Sequence, residues 1–289
     1  MIIKENFNLS KKTTIKIGGI AEKFLIPESE EELCLCAQNT YDEHGLLLLL
    51  SGGSNLLIND RKIFPVVLSM SSACTELSHL EDGLFYIGAS NRIQHVISFV
   101  NAHGYGGFEG LVGLPALFGG IIYMNAGIGD KKNSLFTISE FVVSVTVWDL
   151  CEKRIVSLDR EKCRFDHRYS LFHNGRYVIL GATILCRPLS VEIAEKAKQE
   201  RLAFCKKHFE YGKGCFGTLF SSSSGKVLRL VSIFSRLFRS NIKFANKNKN
   251  WLVNHGGGTF KETMRLINLS KFAHKLLLKR AVCEIVIWK

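Results

Sequence analysis

The sequence predicts an α+β protein built in two parts, and three observations carry that expectation. Glycine-punctuated apolar runs and β-branched alternations dominate before Pro188. At least one helix among them has clear start and stop signals. After Pro188 the composition shifts to helix, basic charge and polar loops. With 289 residues, 46% of them hydrophobic, and a mean hydropathy of +0.10, the chain can bury a sizeable core.

Taken in order, Ser29 and Glu32 form a Ser-x-x-Glu capping pattern after Pro27, and the helix they open runs to His44 and stops at Gly45. Leu46 to Leu50 is a short apolar run between glycines and reads as a buried strand. A second helix covers Asn91 to His103, stopped by Gly104. Phe141 to Asp149 alternates as a strand, with Arg154 to Leu158 as its hairpin partner, and Tyr177 to Cys186 is a further strand. A charged helix follows over Val191 to Phe209, and Ser221 to Ser224 reads as a loop.

The first nineteen residues never build an apolar core of a signal peptide, so no export is expected. Leu111 to Met124 is the best apolar run. It is too short to span a membrane and is broken by Gly113, Pro115, Gly119 and Gly120. The nine cysteines form no CxxC pair, so zinc is not expected, and reduced, mostly buried thiols in a cytoplasmic protein are. The net charge of +12 is uneven: Lys196 to Arg280 holds 19 Lys and Arg against Glu200, Glu210 and Glu262. That asymmetry points to an anionic ligand, a nucleotide diphosphate or nucleic acid, or to a solvated basic surface.

Two segments have chemistry a phosphate ligand needs. Ser51-Gly52-Gly53-Ser54-Asn55-Leu56-Leu57 follows a strand; its glycines let the backbone approach a ligand, and serine and asparagine add donors. Many turns share this composition. Gly107 to Gly120, followed by Asn125-Ala126-Gly127, is a glycine-dense apolar stretch with Pro115, a poor helix and a poor strand. It reads either as backbone laid against a flat apolar group or as a tight buried turn. Gly212 to Gly217 satisfies GxGxxG, but it follows a helix and opens none, so the dinucleotide reading is rejected.

In order and spacing these segments resemble the UDP-N-acetylenolpyruvoylglucosamine reductase family, also called UDP-N-acetylmuramate dehydrogenases. Thr13 to Gly19 is similar to its Asn-Thr-x-x-x-Gly-Gly opening, and Ser51 to Leu57 to its Gly-Gly-Gly-Ser-Asn-Leu-Leu loop. Gly110 to Gly127 resembles its Gly-Ile-Pro-Gly-Thr-Val-Gly-Gly…Met-Asn-Ala-Gly segment, and Phe165 to Phe172 its Tyr-Arg-x-Ser-x-Phe motif. Gly217-Thr218-Leu219-Phe220 matches Gly-Ser-x-Phe, and Glu284 the glutamate of the C-terminal strand. The chain departs where Ser51 replaces a glycine, Ala116-Leu117-Phe118 replaces Gly-Thr-Val, His167 replaces tyrosine and Thr218 replaces serine. Phe-Lys-Asn-Pro continues here as Phe220-Ser221-Ser222-Ser223, and Ser-x-Lys-His-Ala has become Ala245 to Lys249.

The resemblance implies a two-part FAD-binding fold of the vanillyl-alcohol-oxidase type plus a smaller α/β substrate-binding domain, in the shorter subtype. It implies an FAD-binding domain over 1–188 (subdomains 1–65 and 66–188), a substrate domain over 189–275 and a C-terminal strand over 276–289. Noncovalent FAD, reduced by NADPH, would reduce the enolpyruvyl ether of a UDP-amino sugar. Arg168, Thr218 and Glu284 are the implied catalytic residues: cation, proton donor and acid. A carboxylate in an apolar strand, such as Glu284, is costly to bury unless paired, protonated or used; otherwise it faces water at an edge. Ser51, Gly52, Gly53, Ser54, Asn55, Leu56, Gly113, Pro115, Gly119, Gly120, Asn125, Ala126 and Gly127 would hold the cofactor. Lys213, Lys247 and Asn254 would hold substrate. A cytoplasmic monomer with no metal, nucleic-acid or membrane partner is expected. The rivals are a flavin oxidoreductase with another substrate, a degenerate paralogue that binds without turnover, and a nucleic-acid binder, which lacks any recognition signature.

Overall fold

The computed structural model describes residues 1–129, 136–210 and 212–289. Its contacts form two compact units. The first comprises Met1–Glu5, Lys23–Gly52 and Val66–Phe204; the second comprises Asn6–Glu22, Gly53–Pro65 and Cys205–Lys289. Composition alone suggests one cut at Pro188. The contacts instead return residues 6–22 and 53–65 to the C-terminal part. The physical reason is pairing and burial: Leu56–Ile58 runs parallel to Val286–Trp288, and Ile15, Ile17 and Leu57 share a core with Phe216, Phe220 and Ile285.

In the first unit, helix α1 spans Glu30–His44, with the ends its sequence announces. Ser29 Oγ accepts from Glu32 N at 3.2 Å. The reciprocal half of the capping box is redirected, since the Glu32 carboxylate accepts from Glu28 N instead. Gly45 takes φ 65° and donates back to Tyr41 O, as a left-handed cap does. Gln38 ties α1 to the main sheet, accepting from Trp148 Nε1 at 3.0 Å and donating to Leu150 O at 3.2 Å. Of the apolar run Leu46–Leu50, only Leu49–Leu50 is strand, because only there does it find a partner, Leu68–Ser69 in parallel.

The main sheet of this unit is antiparallel, in the order Arg154–Asp159, Val142–Asp149, Tyr177–Leu185, Leu84–Gly88, Leu77–Glu81. Helix α2, Ile93–Ala102, buries Ile93, Val96, Ile97 and Val100, the stripe of an amphipathic helix. Helix α3, Phe118–Tyr123, corrects the expectation that the glycine-dense stretch would be no helix. Glycine's low helix propensity costs about 1 kcal/mol per residue. It is overridden here because a Cβ at Gly119 would stand 2.9 Å from the Ala89 side chain, so close approach demands glycine.

Helix α4, Val191–His208, contains the division between the units. The second unit holds a three-stranded antiparallel sheet, Gly214–Cys215, Leu252–Asn254 and Ile242–Phe244, in that order. GxGxxG therefore lies on a strand that opens no helix, as its context implied. Phe220–Ser222 pairs with Val282–Cys283, so two of the four serines expected in a loop extend a strand. Helices α5, Gly225–Phe234, and α6, Phe260–Leu276, pack on the same core. No helix among the described residues is long and apolar enough to cross a membrane.

All nine cysteines are free. Burial pushes the Cys34, Cys74, Cys163 and Cys186 thiols up to about 12, which keeps them protonated and inert.

Candidate active site

In the first unit, the chain at Ser51–Gly52 lies against the Pro115–Gly120 segment. A Cβ on Gly52 would stand 3.1 Å from Pro115 O, and one on Gly120 would stand 3.1 Å from Ser51 Oγ. Gly113 closes a 3-10 turn, Glu109–Gly113, just before this contact. Gln94, which sequence reasoning overlooked, holds the approach by donating to Val112 O at 2.9 Å and Leu114 O at 2.6 Å. Its only sequence signal was a polar residue in an apolar helix.

Among the described residues, Ser51 Oγ is buried without a hydrogen-bond partner. An orphaned hydroxyl is costly unless a ligand completes it. Beside glycines that admit backbone contact, it forms a cradle suited to an anion such as a pyrophosphate. Leu117 stands where the resembled family has a threonine, and Phe118 is fully buried in the core. Ser51→Gly is expected to weaken cofactor retention about tenfold or more, the worth of one hydrogen bond to a charged group. Fluorescence of flavin released on dilution measures this.

Asn125, Ala126 and Gly127 form a latch. Asn125 adopts φ 42°, a left-handed conformation asparagine tolerates. Its Nδ2 donates to Asp166 O at 3.0 Å and its Oδ1 accepts from Ser139 N at 3.2 Å. A Cβ on Gly127 would overlap Phe136 O. Arg168 also has positive φ, 57°, in a loop closed by two backbone bonds between Asp166 and Tyr169. Its guanidinium donates to Gly127 O at 2.9 Å and Asn125 O at 3.5 Å. Two segments about forty residues apart in sequence therefore position one half-buried cation. Ser170, fully buried, anchors the loop by donating to Tyr123 O at 2.7 Å. His173 stacks on Tyr123 at 4.0 Å, and burial lowers its affinity for a proton.

In the second unit, three distant segments converge. Gly53, at φ 63°, has no room for a side chain: its Cβ would overlap Lys12 O. Asn55 Nδ2 donates to Glu284 O at 3.1 Å, and Val286 N donates to Asn55 O at 3.0 Å. Glu284 N donates to Leu219 O at 3.0 Å. Thr218 and Glu284, both half-buried, thus sit on neighbouring segments. Ser54 and Leu56 follow the same loop, with Leu56 paired to Val286.

The expected substrate residues separate. Lys213 and Lys247 line one concavity of about 390 Å³ with Lys206, Phe209, Glu210 and Asn246. Lys247 Nζ also donates to Lys206 O and Phe209 O, at the C-terminal end of α4, where a cation meets the helix dipole. Asn254 lines no part of that concavity; it is buried in the sheet as the partner of Gly214, next to Lys213. It donates to Ile15 O and accepts from Gly256 N and Gly258 N. Its amide serves the fold rather than presenting a donor to solvent, because the tight turn at Gly256–Gly258 needs an acceptor.

No family model matches the chain. Curated relatives do. The UDP-N-acetylenolpyruvoylglucosamine reductase of Orientia tsutsugamushi is 27% identical over 263 residues, covering 89% of this chain and 84% of the relative. Those of Bacillus licheniformis and Aquifex aeolicus are each 28% identical, covering 92% and 94% of this chain and 86% and 90% of the relatives. The crystal structure of the UDP-N-acetylenolpyruvylglucosamine reductase from Thermus caldophilus superposes with a TM-score of 0.77 at 20% identity, over the whole of both chains. This chain is a relative of the UDP-N-acetylenolpyruvoylglucosamine reductases. Its mixed α+β fold is the one that the Thermus caldophilus structure has.

Proposed function

We propose that this chain reduces UDP-N-acetylglucosamine enolpyruvate to UDP-N-acetylmuramate, a peptidoglycan precursor, with noncovalent FAD as its flavin and NADPH as the reductant. The observation that carries this reading is the junction of Asn55, Leu219 and Glu284. It draws together three reductase-like motifs separated by some 160 and 65 residues of chain.

Bound flavin would supply hydride to C3 of the enolpyruvyl group; Ser51, Gly52, Gly120 and the Gly53–Leu57 loop are its proposed holders. The chain's own side chains manage the charge and the proton. As C3 gains hydride, negative charge grows at C2 and on the adjoining carboxylate. Arg168, oriented by the Asn125 and Gly127 carbonyls, is the cation assigned to that charge. Glu284 is the acid assigned to the carboxylate, and the Thr218 hydroxyl is the donor that delivers a proton to C2. We assign residues 1–188 to the flavin, 189–275 to the substrate and 276–289 to the strand that carries Glu284, with Lys213 beside the diphosphate. Asn254 is left to the fold. We assign the reaction to the cytoplasm, where a nucleotide sugar and a nicotinamide reductant are met, and the chain to a monomer.

Anaerobic stopped-flow tests the reading. NADPH should bleach the flavin absorbance, and the enolpyruvyl sugar should restore it. Bleaching without recovery would overturn the substrate assignment. Glu284→Gln keeps the shape but not the acid, and is expected to slow recovery by about a hundredfold or more while leaving bleaching unchanged.

A further inference from the structure

Helices α5 and α6 bury one face each, Val227, Leu228 and Val231 on α5 and Leu266 and Ile267 on α6, in a single core. They run antiparallel: Ser224 N, before α5, donates to His274 Nε2 near the end of α6 at 2.9 Å. Arg265, early in α6, lies over the Phe238 ring beyond α5, 5.7 Å from its centroid. The end of α6 therefore lies beside the start of α5, and the end of α5 beside the start of α6. The outward face of the pair is apolar at both ends. Leu230, Ile233, Phe234 and Leu237 are exposed on and after α5, with Leu237 81% exposed. Phe272 and Leu276 are 64% and 71% exposed on α6. Residues 225–240 and 259–280 also hold ten Lys and Arg against one acidic residue, Glu262. That carboxylate is committed to the start of α6 and its surroundings, accepting from Thr259 N and Asn241 N.

We infer that this face is a docking surface for an anionic lipid bilayer, resting on the membrane without crossing it. The charge chooses the partner. These segments carry a large excess of cations over acids, and such an excess repels a second copy of the same face and attracts an anionic partner. The bulky aliphatic side chains choose lipid over nucleic acid. Phe234 and Phe272 have stacking planes, but Leu230, Ile233, Leu237 and Leu276, the majority of the exposed set, offer neither a stacking plane nor a hydrogen bond to a base, whereas an acyl boundary accepts all six. Lysine and arginine stems lie along such apolar surface while their charged ends meet headgroups. The surface belongs to α5 and α6 alone and does not depend on the catalytic reading.

Co-sedimentation of the full chain with vesicles tests it. Phosphatidylcholine mixed with phosphatidylglycerol should bring the protein down, phosphatidylcholine alone should not, and added salt should release it. The combined substitution Ile233→Ser, Phe234→Ser and Leu237→Ser touches only exposed positions. It should weaken vesicle binding about tenfold or more while flavin content and circular dichroism stay unchanged. Three results would overturn the proposal: no sedimentation with anionic vesicles at low salt; vesicle binding that the triple substitution leaves intact, with single-stranded RNA competing equally well; or a dimer in sedimentation velocity that the triple substitution converts to monomer while vesicle binding persists.

Discussion

Thr218→Ala is expected to slow reoxidation of reduced flavin by the enolpyruvyl sugar by about 10²–10⁴-fold, the usual worth of a positioned general acid. Reduction by NADPH should be unaffected, since that half-reaction moves no proton to C2. The geometry sets the sharper comparison. Thr218 is half-buried one residue before Leu219, whose carbonyl accepts from Glu284 N. Its backbone is fixed, so only the side-chain rotamer remains to be chosen. A β-branched residue has fewer rotamers to choose from than serine. Thr218→Ser should therefore keep the hydroxyl and change the rate by no more than about tenfold, while Thr218→Val, which keeps the shape without the hydroxyl, should behave like alanine. Single-turnover reoxidation, followed by flavin absorbance, separates these cases. If Thr218→Val retained the parent rate, the donor would have to be sought elsewhere.

Legibility in the sequence followed the range of the interactions. Helix α1 could be read residue by residue because its caps, Ser29 and Gly45, act within four positions. The hairpin of Val142–Asp149 with Arg154–Asp159 was equally plain, since alternation and a short turn are local. The second unit was not. Many of its strands are two or three residues long, and several exist only through remote partners, as Leu56–Ile58 does with Val286–Trp288. No window of sequence holds that information. For the same reason a linear reading could not place residues 6–22 and 53–65 with the C-terminal part.

The candidate site shows the same division. The motifs announced Ser51, Gly120, Arg168 and Glu284 as types of residue, but not what each one touches. Gln94 donates to two carbonyls of the glycine-dense segment without any motif of its own, and Ser170, announced only as the serine of Tyr-Arg-x-Ser-x-Phe, donates to Tyr123 O. Asn254, assigned to substrate by the resemblance, has its amide claimed by a buried turn that no motif announces. Lys247 is intermediate, rimming the concavity with its ammonium turned to the end of α4.

The largest stability effect is expected at Arg176, in the first unit. Asp149 is 2% exposed at the end of the strand Val142–Asp149. Arg176 grips its carboxylate through Nε and Nη2, and Cys151 N and Glu152 N add two backbone donors. The Arg176 guanidinium, foremost among these partners, holds the Asp149 carboxyl below the usual carboxylate range. Arg176→Ala leaves a buried charge with only its backbone donors. Losing one partner of a buried charge is destabilising, and the exposure of Arg176 moderates the loss. Melting of the first unit should fall by roughly 5–10 °C at neutral pH. Because the folded carboxyl has the lower pKa, the pair's contribution is complete above the unfolded value of about 4. It is lost as pH falls through the folded value. Stability curves of the parent and Arg176→Ala, measured by circular dichroism from neutral to acid pH, should therefore converge at the acid end. Asp149→Asn, which removes the charge together with the need to pair it, should show little of that convergence. A gap that stayed constant with pH would mean that Arg176 acts through packing against Tyr177, whose ring it overlies at 5.1 Å, rather than through its charge.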